Sequence, residues 1–273
     1  MTATMGDIKI ENVTKIFGSN VKTALAMVDQ GFDKGEILRA TQCSVGLNNI
    51  SLNIEASKIF VIMGLSGSGK STLVRHINRL IEPTSGVIQF GNENVLELDA
   101  RQLRTFRMHR VSMVFQSFGL MPHRTLLQNV VYGQRVRGMS KSEARPIGMR
   151  WIEAVGLSGY EDKFPRQLSG GMKQRVGLAR AFAADTDVIL MDEAFSALDP
   201  LIRADMQDQL LQLQRDLGKT IVFITHDLDE AVRIGSKIAI LKDGRLVQVG
   251  SSEEILRSPA DEYVARFVSR YLK

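Results

Sequence analysis

The residues best suited to chemistry lie in the stretch GLSGSGKS at 64–71, where glycines and serines precede a lysine and a further serine. This spacing satisfies the phosphate-loop pattern, which requires a strand before it and a helix after it. Its glycines let backbone N–H groups wrap a β-phosphate, Lys70 would reach the β- and γ-phosphates, and Ser71 would hold Mg²⁺. A glycine–serine loop that only caps a helix is the alternative. The residues predicted to bind ATP here are Gly64, Leu65, Ser66, Gly67, Ser68, Gly69, Lys70, Ser71 and Thr72.

An acidic pair follows a second apolar run, in VILMDE at 188–193. Four apolar residues predict a buried strand that delivers Asp192 to its carboxyl end, where the carboxylate would hold Mg²⁺ through water. Glu193 would then point toward the γ-phosphate and polarise the attacking water as a general base. An ordinary exposed acid after a strand is the alternative for Glu193.

Two more polar side chains come at the ends of predicted strands. His226 finishes TIVFITH and Gln116 finishes VSMVFQ. Because the carboxyl ends of parallel strands meet at one edge of a sheet, both are expected near the same site. His226 would contact the γ-phosphate and detect its presence, and Gln116 would ligate Mg²⁺ or the water. Structural roles are the alternative for both.

A second Ser-Gly-Gly precedes a predicted helix, in RQLSGGMKQRVGLARA at 166–181. A helix N-terminus presents unpaired N–H groups to phosphates, but this stretch offers no lysine or metal-binding hydroxyl for holding ATP alone. We therefore expect it to act as a lid from a second copy. In a head-to-tail homodimer, Ser169, Gly170 and Gly171 of one chain would cap the γ-phosphate held at Lys70 of the other. A glycine-rich N-cap without a ligand is the alternative.

The elements that position these residues follow from hydrophobic patterning. Continuous apolar runs at 58–64, 187–193 and 220–226 alternate with helical segments, which predicts a parallel α/β sheet. Alternating early strands such as DIKIENV add an antiparallel layer, and 115–180 reads as a helical insert without a clear strand. The stretch 21–42 is predicted to form two short helices, because Gly31 and Gly35 interrupt it.

The composition of the chain limits the classes of protein to which it can belong. The chain has 273 residues, 44% of them hydrophobic, and a net charge of +5, which indicates a solvated basic surface or a weak attraction to anionic lipid or nucleic acid. A single cysteine, Cys43, excludes an internal disulfide and suits a reducing cytosol. No secretory signal is evident, and no apolar run approaches the roughly 20 residues that cross a bilayer. A membrane role would need another chain to supply the span.

The set GLSGSGKS, Gln116, LSGGMKQ, VILMDE, SALD and His226, in this order, resembles the ATP-binding cassette (ABC) ATPases from about residue 7 to 250. The resemblance implies a phosphate-loop NTPase core with an antiparallel layer and a helical insert, in one nucleotide-binding domain over 1–273. It implies that Asp199 lies at the dimer seam. It also implies that Phe17 stacks on adenine, although a core or loop aromatic is the alternative.

An insert at 19–46, between Phe17 and the phosphate loop, indicates which group of ABC ATPases this chain resembles. Together with MGLSGSGKSTLVRHINRLIEPTSG, MVFQSFGLMPHRTLLQNV and MDEAFSALDPLIRADMQDQL, it is similar to the ATPase subunits of quaternary-amine importers, which carry glycine betaine, proline betaine or choline. Many members continue into regulatory CBS modules. This chain stops at Lys273 after a short helical tail at 251–273, so we expect no such modules and no regulation by them.

The importer resemblance implies partners and a location. We expect a peripheral subunit on the cytoplasmic face of the inner (plasma) membrane, with two integral permease subunits and, indirectly, a substrate-binding protein. The loop 117–129 is predicted to expose Phe118, Leu120 and Met121 for docking, or else to pack them locally. Alternatives are an exporter, an importer of another small solute, or a soluble nucleic-acid-associated ABC ATPase. The last is disfavoured because roughly 100 residues without heptads separate the two phosphate motifs, and we expect no nucleic-acid partner.

Overall fold

The computed structural model describes residues 6–196 and 198–271. Ala197 in the SALD stretch and the predicted domain's ends, 1–5 and 272–273, lie outside the described residues. The described chain forms two compact units. The first holds the residues up to Ala56, Phe60–Leu98 and those from Ile224 onward, and the second holds Ser57–Ile59 and Asp99–Phe223. The assignment of one domain to 1–273 stays a prediction.

The strands are, in chain order, β1 (Ile8–Phe17), β2 (Ser44–Ile54), β3 (Ile59–Met63), β4 (Ser85–Phe90), β5 (Glu93–Asn94), β6 (Val111–Val114), β7 (Val188–Asp192), β8 (Thr220–Thr225), β9 (Lys237–Lys242) and β10 (Arg245–Gly250). The α-helices are α1 (Val21–Asp29), α2 (Lys34–Thr41), α3 (Lys70–Ile77), α4 (Ala100–His109), α5 (Leu126–Val130), α6 (Tyr132–Val136), α7 (Lys141–Ala154), α8 (Gly170–Ala183), α9 (Pro200–Leu217), α10 (Leu228–Ile234), α11 (Ser252–Arg257) and α12 (Glu262–Tyr271).

The first unit contains the antiparallel layer, with strand order β2-β1-β4-β5. Ile8 and Ile10 of β1 are buried and Lys9 between them is exposed, as an alternating strand with one solvated face requires. The unit also holds strands in the order β10-β9-β3, of which β3 and β9 are parallel. All of β3 is buried, because its apolar side chains are covered on both faces.

The second unit contains β6, β7 and the first four residues of β8, in the order β8-β7-β6, with β6 and β7 parallel. No strand occurs between residues 115 and 180, all of which are described, so the predicted helical insert is confirmed. Its core includes Trp151 of α7, whose ring stacks on Phe182 of α8 with centroids 5.4 Å apart. Gly148 of α7 permits a close approach to α5, since a Cβ there would lie 2.5 Å from atoms of Leu127 and of Val131, the residue after α5.

The insert at 19–46 forms the two predicted short helices, α1 and α2. Gly31 between them has a φ of +86°, which favours glycine. Asp33 and Glu36 form a reciprocal capping box that starts α2: Glu36 N donates to Asp33 Oδ1 at 2.8 Å, and Asp33 N donates to Glu36 Oε2 at 2.9 Å. The helices cover an apolar cluster that includes the fully buried Cys43.

Some predicted boundaries were wrong. The loop 117–129 ends earlier than expected, because Thr125 and Gln128 form a capping box that starts α5 at Leu126. Strand β6 ends at Val114 and β8 at Thr225, so Gln116 and His226 follow their strands instead of finishing them. Among residues 6–196 and 198–271, no helix has both the length and the apolar character for a membrane crossing.

Replacing Phe182 with alanine is expected to destabilise the chain by about 3–5 kcal/mol, because the ring is buried against Trp151 and its loss leaves a cavity. Denaturant unfolding followed by tryptophan fluorescence measures the loss. Tyr160→Ala is the matched control, since that ring is 43% exposed and should change stability little. Equal unfolding midpoints for the two variants would contradict the assignment of Phe182 to the core.

Candidate nucleotide-binding site

The glycines of the first phosphate motif shape the turn between β3 and α3. Gly64, Gly67 and Gly69 have φ values of +152°, +79° and +101°, a region that disfavours other residues. A Cβ on Gly64 would lie 2.2 Å from the Leu241 carbonyl oxygen, and one on Gly69 would lie 2.8 Å from the Gly46 oxygen. A Cβ on Gly67 would meet nothing within 4 Å. The loop is therefore closely packed against neighbouring backbone at Gly64 and Gly69, and has free space at Gly67.

The same loop holds a buried cation. Lys70 is 4% exposed, and its Nζ donates to the carbonyl oxygens of Gly64 at 2.9 Å and Leu65 at 3.0 Å. Within the part of the chain that the structure describes, the buried Ser68 Oγ has no hydrogen-bond partner. Such an atom is costly unless a ligand or water satisfies it. A cation, positive-φ backbone and an unsatisfied hydroxyl together fit a bound phosphate group.

Phe17 ends β1 with 41% of its surface exposed. Lys15 Nζ lies 5.1 Å from the ring centroid, and a Cβ on Gly46 would lie 2.7 Å from Phe17 Cε2. Gly46 thus makes room for the ring on one side, while its carbonyl backs Gly69 of the phosphate loop. An exposed aromatic surface close to the loop is suited to stacking on a base. The adenine contact stays a prediction.

In the second unit the structure brings together two predicted residues, Gln116 and Glu193. Gln116 Nε2 donates to Glu193 Oε2 at 3.1 Å. Glu193 has a φ of +47°, which costs a residue with a side chain about 1–3 kcal/mol and is common at functional sites. Asp192 directly before it ends β7 and is 1% exposed. The apolar strand therefore delivers the acidic pair as predicted, and the catalytic and Mg²⁺ roles stay predictions.

His226 belongs to the first unit and directly follows β8. Its side chain is exposed. The next residue, Asp227, caps α10: Asp227 accepts from the backbone N–H of Asp229 at 2.9 Å. The exposed position is accessible to a ligand, and the γ-phosphate contact stays a prediction.

The residues predicted to act across a dimer lie on the surface of the second unit. Ser169 caps α8, where its Oγ accepts from Met172 N at 3.2 Å, and Ser169 and Gly170 are exposed. A Cβ on Gly170 would meet nothing within 4 Å. Asp199 is also exposed and caps α9 by accepting from Ile202 N at 3.2 Å. These positions are accessible to a second chain, and their role in trans stays a prediction.

The loop that follows Gln116 is fastened by an arginine that the sequence analysis missed. Arg180 of α8 donates from Nη1 to the Gly119 oxygen at 2.7 Å and from Nη2 to the Phe118 oxygen at 3.1 Å. Burial lowers the pKa of Arg180 from its usual value. The prediction that Phe118, Leu120 and Met121 are exposed was wrong, because all three are half-buried in this fastened loop.

Asn129 is a second residue that the sequence analysis missed. Its side chain is fully buried, and its Oδ1 accepts from Met121 N at 2.8 Å. Its Nδ2 donates to the oxygens of Met121 (3.2 Å), Arg124 (3.1 Å) and Thr125 (3.0 Å). Asparagine in the apolar run LLQNVV is the signal that could have predicted it, since a buried amide needs such partners.

The chain matches the family model described as ABC transporter over residues 47–196, which is more than half of its length. It belongs to the ABC transporter family. The predicted resemblance is therefore confirmed at the level of the family.

Two relatives sharpen the comparison. The chain is 56% identical over 261 residues to the glycine betaine transport ATP-binding protein of Bacillus subtilis (strain 168). The aligned region covers 96% of this chain and 62% of that protein. The chain is 56% identical over 264 residues to the glycine betaine/carnitine transport ATP-binding protein of Listeria monocytogenes serotype 1/2a (strain 10403S), with coverage of 97% and 66%. The chain thus spans less than two thirds of the length of either relative.

A solved structure confirms the predicted fold. A dimeric ATP-binding cassette in a post-hydrolysis state, bound to ADP and Pi, superposes with a TM-score of 0.76 at 32% identity. The match covers 90% of this chain and 98% of that one. The phosphate-loop core with its antiparallel layer and helical insert is therefore the ABC ATPase fold.

Replacing Asn129 with alanine is expected to loosen the loop 117–125, because it removes the hydrogen bonds that fix Met121 and Arg124. Amide hydrogen exchange in a peptide spanning the loop should quicken about tenfold. His123→Ala, an exposed change in the same loop, is the control and should leave exchange near the wild-type rate. Unchanged exchange in Asn129→Ala would contradict the fastening role.

Proposed function

We propose that this chain is the ATP-hydrolysing subunit of an importer for a quaternary or methylated amine. The observation that carries the proposal is the buried Lys70 ammonium, enclosed by a positive-φ loop whose Ser68 hydroxyl lacks a partner within the described residues. This arrangement is suited to a nucleotide phosphate, and the chain's family supports ATP as that nucleotide.

Different residues would bind the phosphates, the adenine and the Mg²⁺ ion. Lys70 and the backbone N–H groups of 64–72 would hold the phosphates, and Phe17 would stack on the adenine. ATP bound there supplies the phosphoanhydride bond whose hydrolysis drives transport. Ser71, Gln116 and Asp192 would hold Mg²⁺, since hydroxyl, amide and carboxylate oxygens are the ligands that this ion prefers.

The second unit supplies the hydrolytic group. Glu193 would accept a proton from the attacking water, and the hydrogen bond from Gln116 Nε2 to its Oε2 orients the carboxylate. A fixed carboxylate loses less orientational freedom when the reacting water arrives. His226 would contact the γ-phosphate and distinguish ATP from ADP.

A homodimer would complete each site. Ser169, Gly170 and Gly171 of one copy would meet the γ-phosphate held at Lys70 of the other, with Asp199 at the seam. The accessible surface at Ser169 and Gly170 supports this arrangement. So does the similar cassette solved as a dimer with ADP and Pi. Two copies related by a two-fold axis make two equivalent sites.

The relatives support the class of substrate. Both are named for glycine betaine transport, and one also for carnitine. Glycine betaine and carnitine both carry a trimethylammonium group, which makes a methylated amine the expected cargo. Import of such a cargo would use two integral permease subunits and a substrate-binding protein, with this chain as a peripheral subunit on the cytoplasmic face of the membrane. The half-buried apolar side chains of 117–129 keep part of their surface available for docking.

Replacing Glu193 with glutamine is expected to lower kcat for ATP hydrolysis by about 10²–10⁴-fold, because the amide cannot accept the proton from water. ATP should still bind and hold the protein as a dimer, which light scattering after size-exclusion chromatography detects. Glu153→Gln, an exposed change in the same unit, is the control and should hydrolyse ATP normally. Normal turnover by Glu193→Gln would remove this residue as the base.

Cells that lack their own uptake of methylated amines should import labelled glycine betaine when they express this chain with its permease subunits and binding protein.

The double variant Phe118→Asp/Leu120→Asp is expected to reduce this uptake about tenfold by weakening docking to the permease subunits, with the ATP affinity of the purified chain retained. Leu38→Asp, at an exposed position in α2, is the control. Wild-type uptake by the double variant would refute docking at this loop, and no wild-type uptake of any methylated amine would refute the substrate class.

A further inference from the structure

In the last described helix, α12, the hydroxyl group of Tyr263 forms a hydrogen bond with the phosphate loop. The backbone N–H of Leu65 donates to Tyr263 Oη at 3.2 Å. The same Oη donates to the carbonyl oxygen of Leu241 in β9, also at 3.2 Å. One hydroxyl thus accepts from the loop and donates to a strand that pairs with β3.

The carbonyl oxygen of Leu241 also lies directly against Gly64. A Cβ on Gly64 would lie 2.2 Å from this oxygen, so the first glycine of the loop packs directly on it. Tyr263 therefore connects the second residue of the loop, Leu65, to the group against which the first residue rests. The position at which β3 turns into the loop is defined by these two contacts.

The ring of Tyr263 is held from several sides. Phe267 meets it edge-on with centroids 5.2 Å apart, and Lys242 Nζ lies 5.0 Å from its centroid. Val264 and Val268 of the same helix are buried, which anchors α12 on the first unit. Burial raises the pKa of Tyr263 from its usual value, so the hydroxyl keeps its proton at neutral pH and can donate to Leu241.

A cavity of about 440 Å³ lies beside this contact. It is lined by loop residues Ser66 and Ser68 and, from the other side, by Asp243, Tyr263 and Arg266. The cavity lies between Ser66 and Ser68 in the middle of the loop and these residues, and the Tyr263 hydroxyl bonds to the loop at Leu65. Removing that hydroxyl would leave the Leu65 amide facing water instead of a fixed acceptor.

We propose that Tyr263 is a positioning residue for nucleotide binding, because its hydroxyl fixes the start of the phosphate loop and so the backbone N–H groups of 66–70 that would face the phosphates. The inference rests on the proposed function. A loop rich in glycine gains conformational freedom when released, and ordering it again on binding costs affinity. The hydroxyl meets the loop at the Leu65 amide and not at the proposed base Glu193, so we expect the effect in the affinity for nucleotide.

Tyr263→Phe tests the inference because it removes the hydroxyl and keeps the ring. Tyr271→Phe is the matched control, since it makes the same change in the same helix. Calorimetric titration of the full chain with a non-hydrolysable ATP analogue should show affinity weakened about 3- to 10-fold in Tyr263→Phe only. At saturating ATP, kcat should stay within about twofold of wild type. Without nucleotide, amide exchange at Leu65 should quicken only in Tyr263→Phe.

The outcomes separate the inference from the function on which it rests. If wild type binds the analogue and Tyr263→Phe binds it equally well, the hydroxyl only supports packing and the inference is overturned. Faster exchange with unchanged affinity overturns it too. A loss in kcat without a change in affinity would likewise contradict a positioning role in binding. If the wild-type chain binds no ATP analogue, the proposed function fails and this inference fails with it.

Discussion

The interaction on which the site depends is the one between the Lys70 ammonium and the carbonyl oxygens of Gly64 and Leu65. A buried charge is tolerated only when polar groups replace its water, and here the loop's own backbone does so. In the same loop, Gly64 and Gly69 lie directly against the Leu241 and Gly46 carbonyls. The loop that holds the cation is therefore packed against β2 and β9 of the same unit.

Helix α8 relates two features of the second unit that are distant in sequence. Its N-terminus carries Ser169 and the exposed glycine that would meet a second chain, and Arg180 near its other end holds the loop that follows Gln116. The two ends are about 16 Å apart along a rigid helix. A contact made at Ser169 would therefore bear on the same loop that carries Gln116 toward Glu193, and Asn129 secures that loop at its far end.

Local signals explain which elements could be predicted. Asp199 as N-cap, Pro200 in the first turn and Gly218 at φ +60° are sufficient to bound α9 at both ends. By contrast, α4 was not predicted, because ARQLRTFRMH is mostly polar and Phe106 is its only buried side chain. The hydrogen bond that holds the Phe118 backbone oxygen could not be predicted either, since its donor, Arg180, lies about sixty residues away in the chain.

The sequence by itself determined the chemistry that is available: the phosphate loop, the acidic pair at the end of β7, and the glycines at torsions that other residues rarely adopt. These depend on residue types and on spacing within a few residues, which physical chemistry constrains directly. Only the tertiary structure decided which partners meet. The hydrogen bonds from Gln116 to Glu193 and from Leu65 to Tyr263 join residues 77 and 198 positions apart. Such contacts arise from packing of whole elements, which no local pattern encodes.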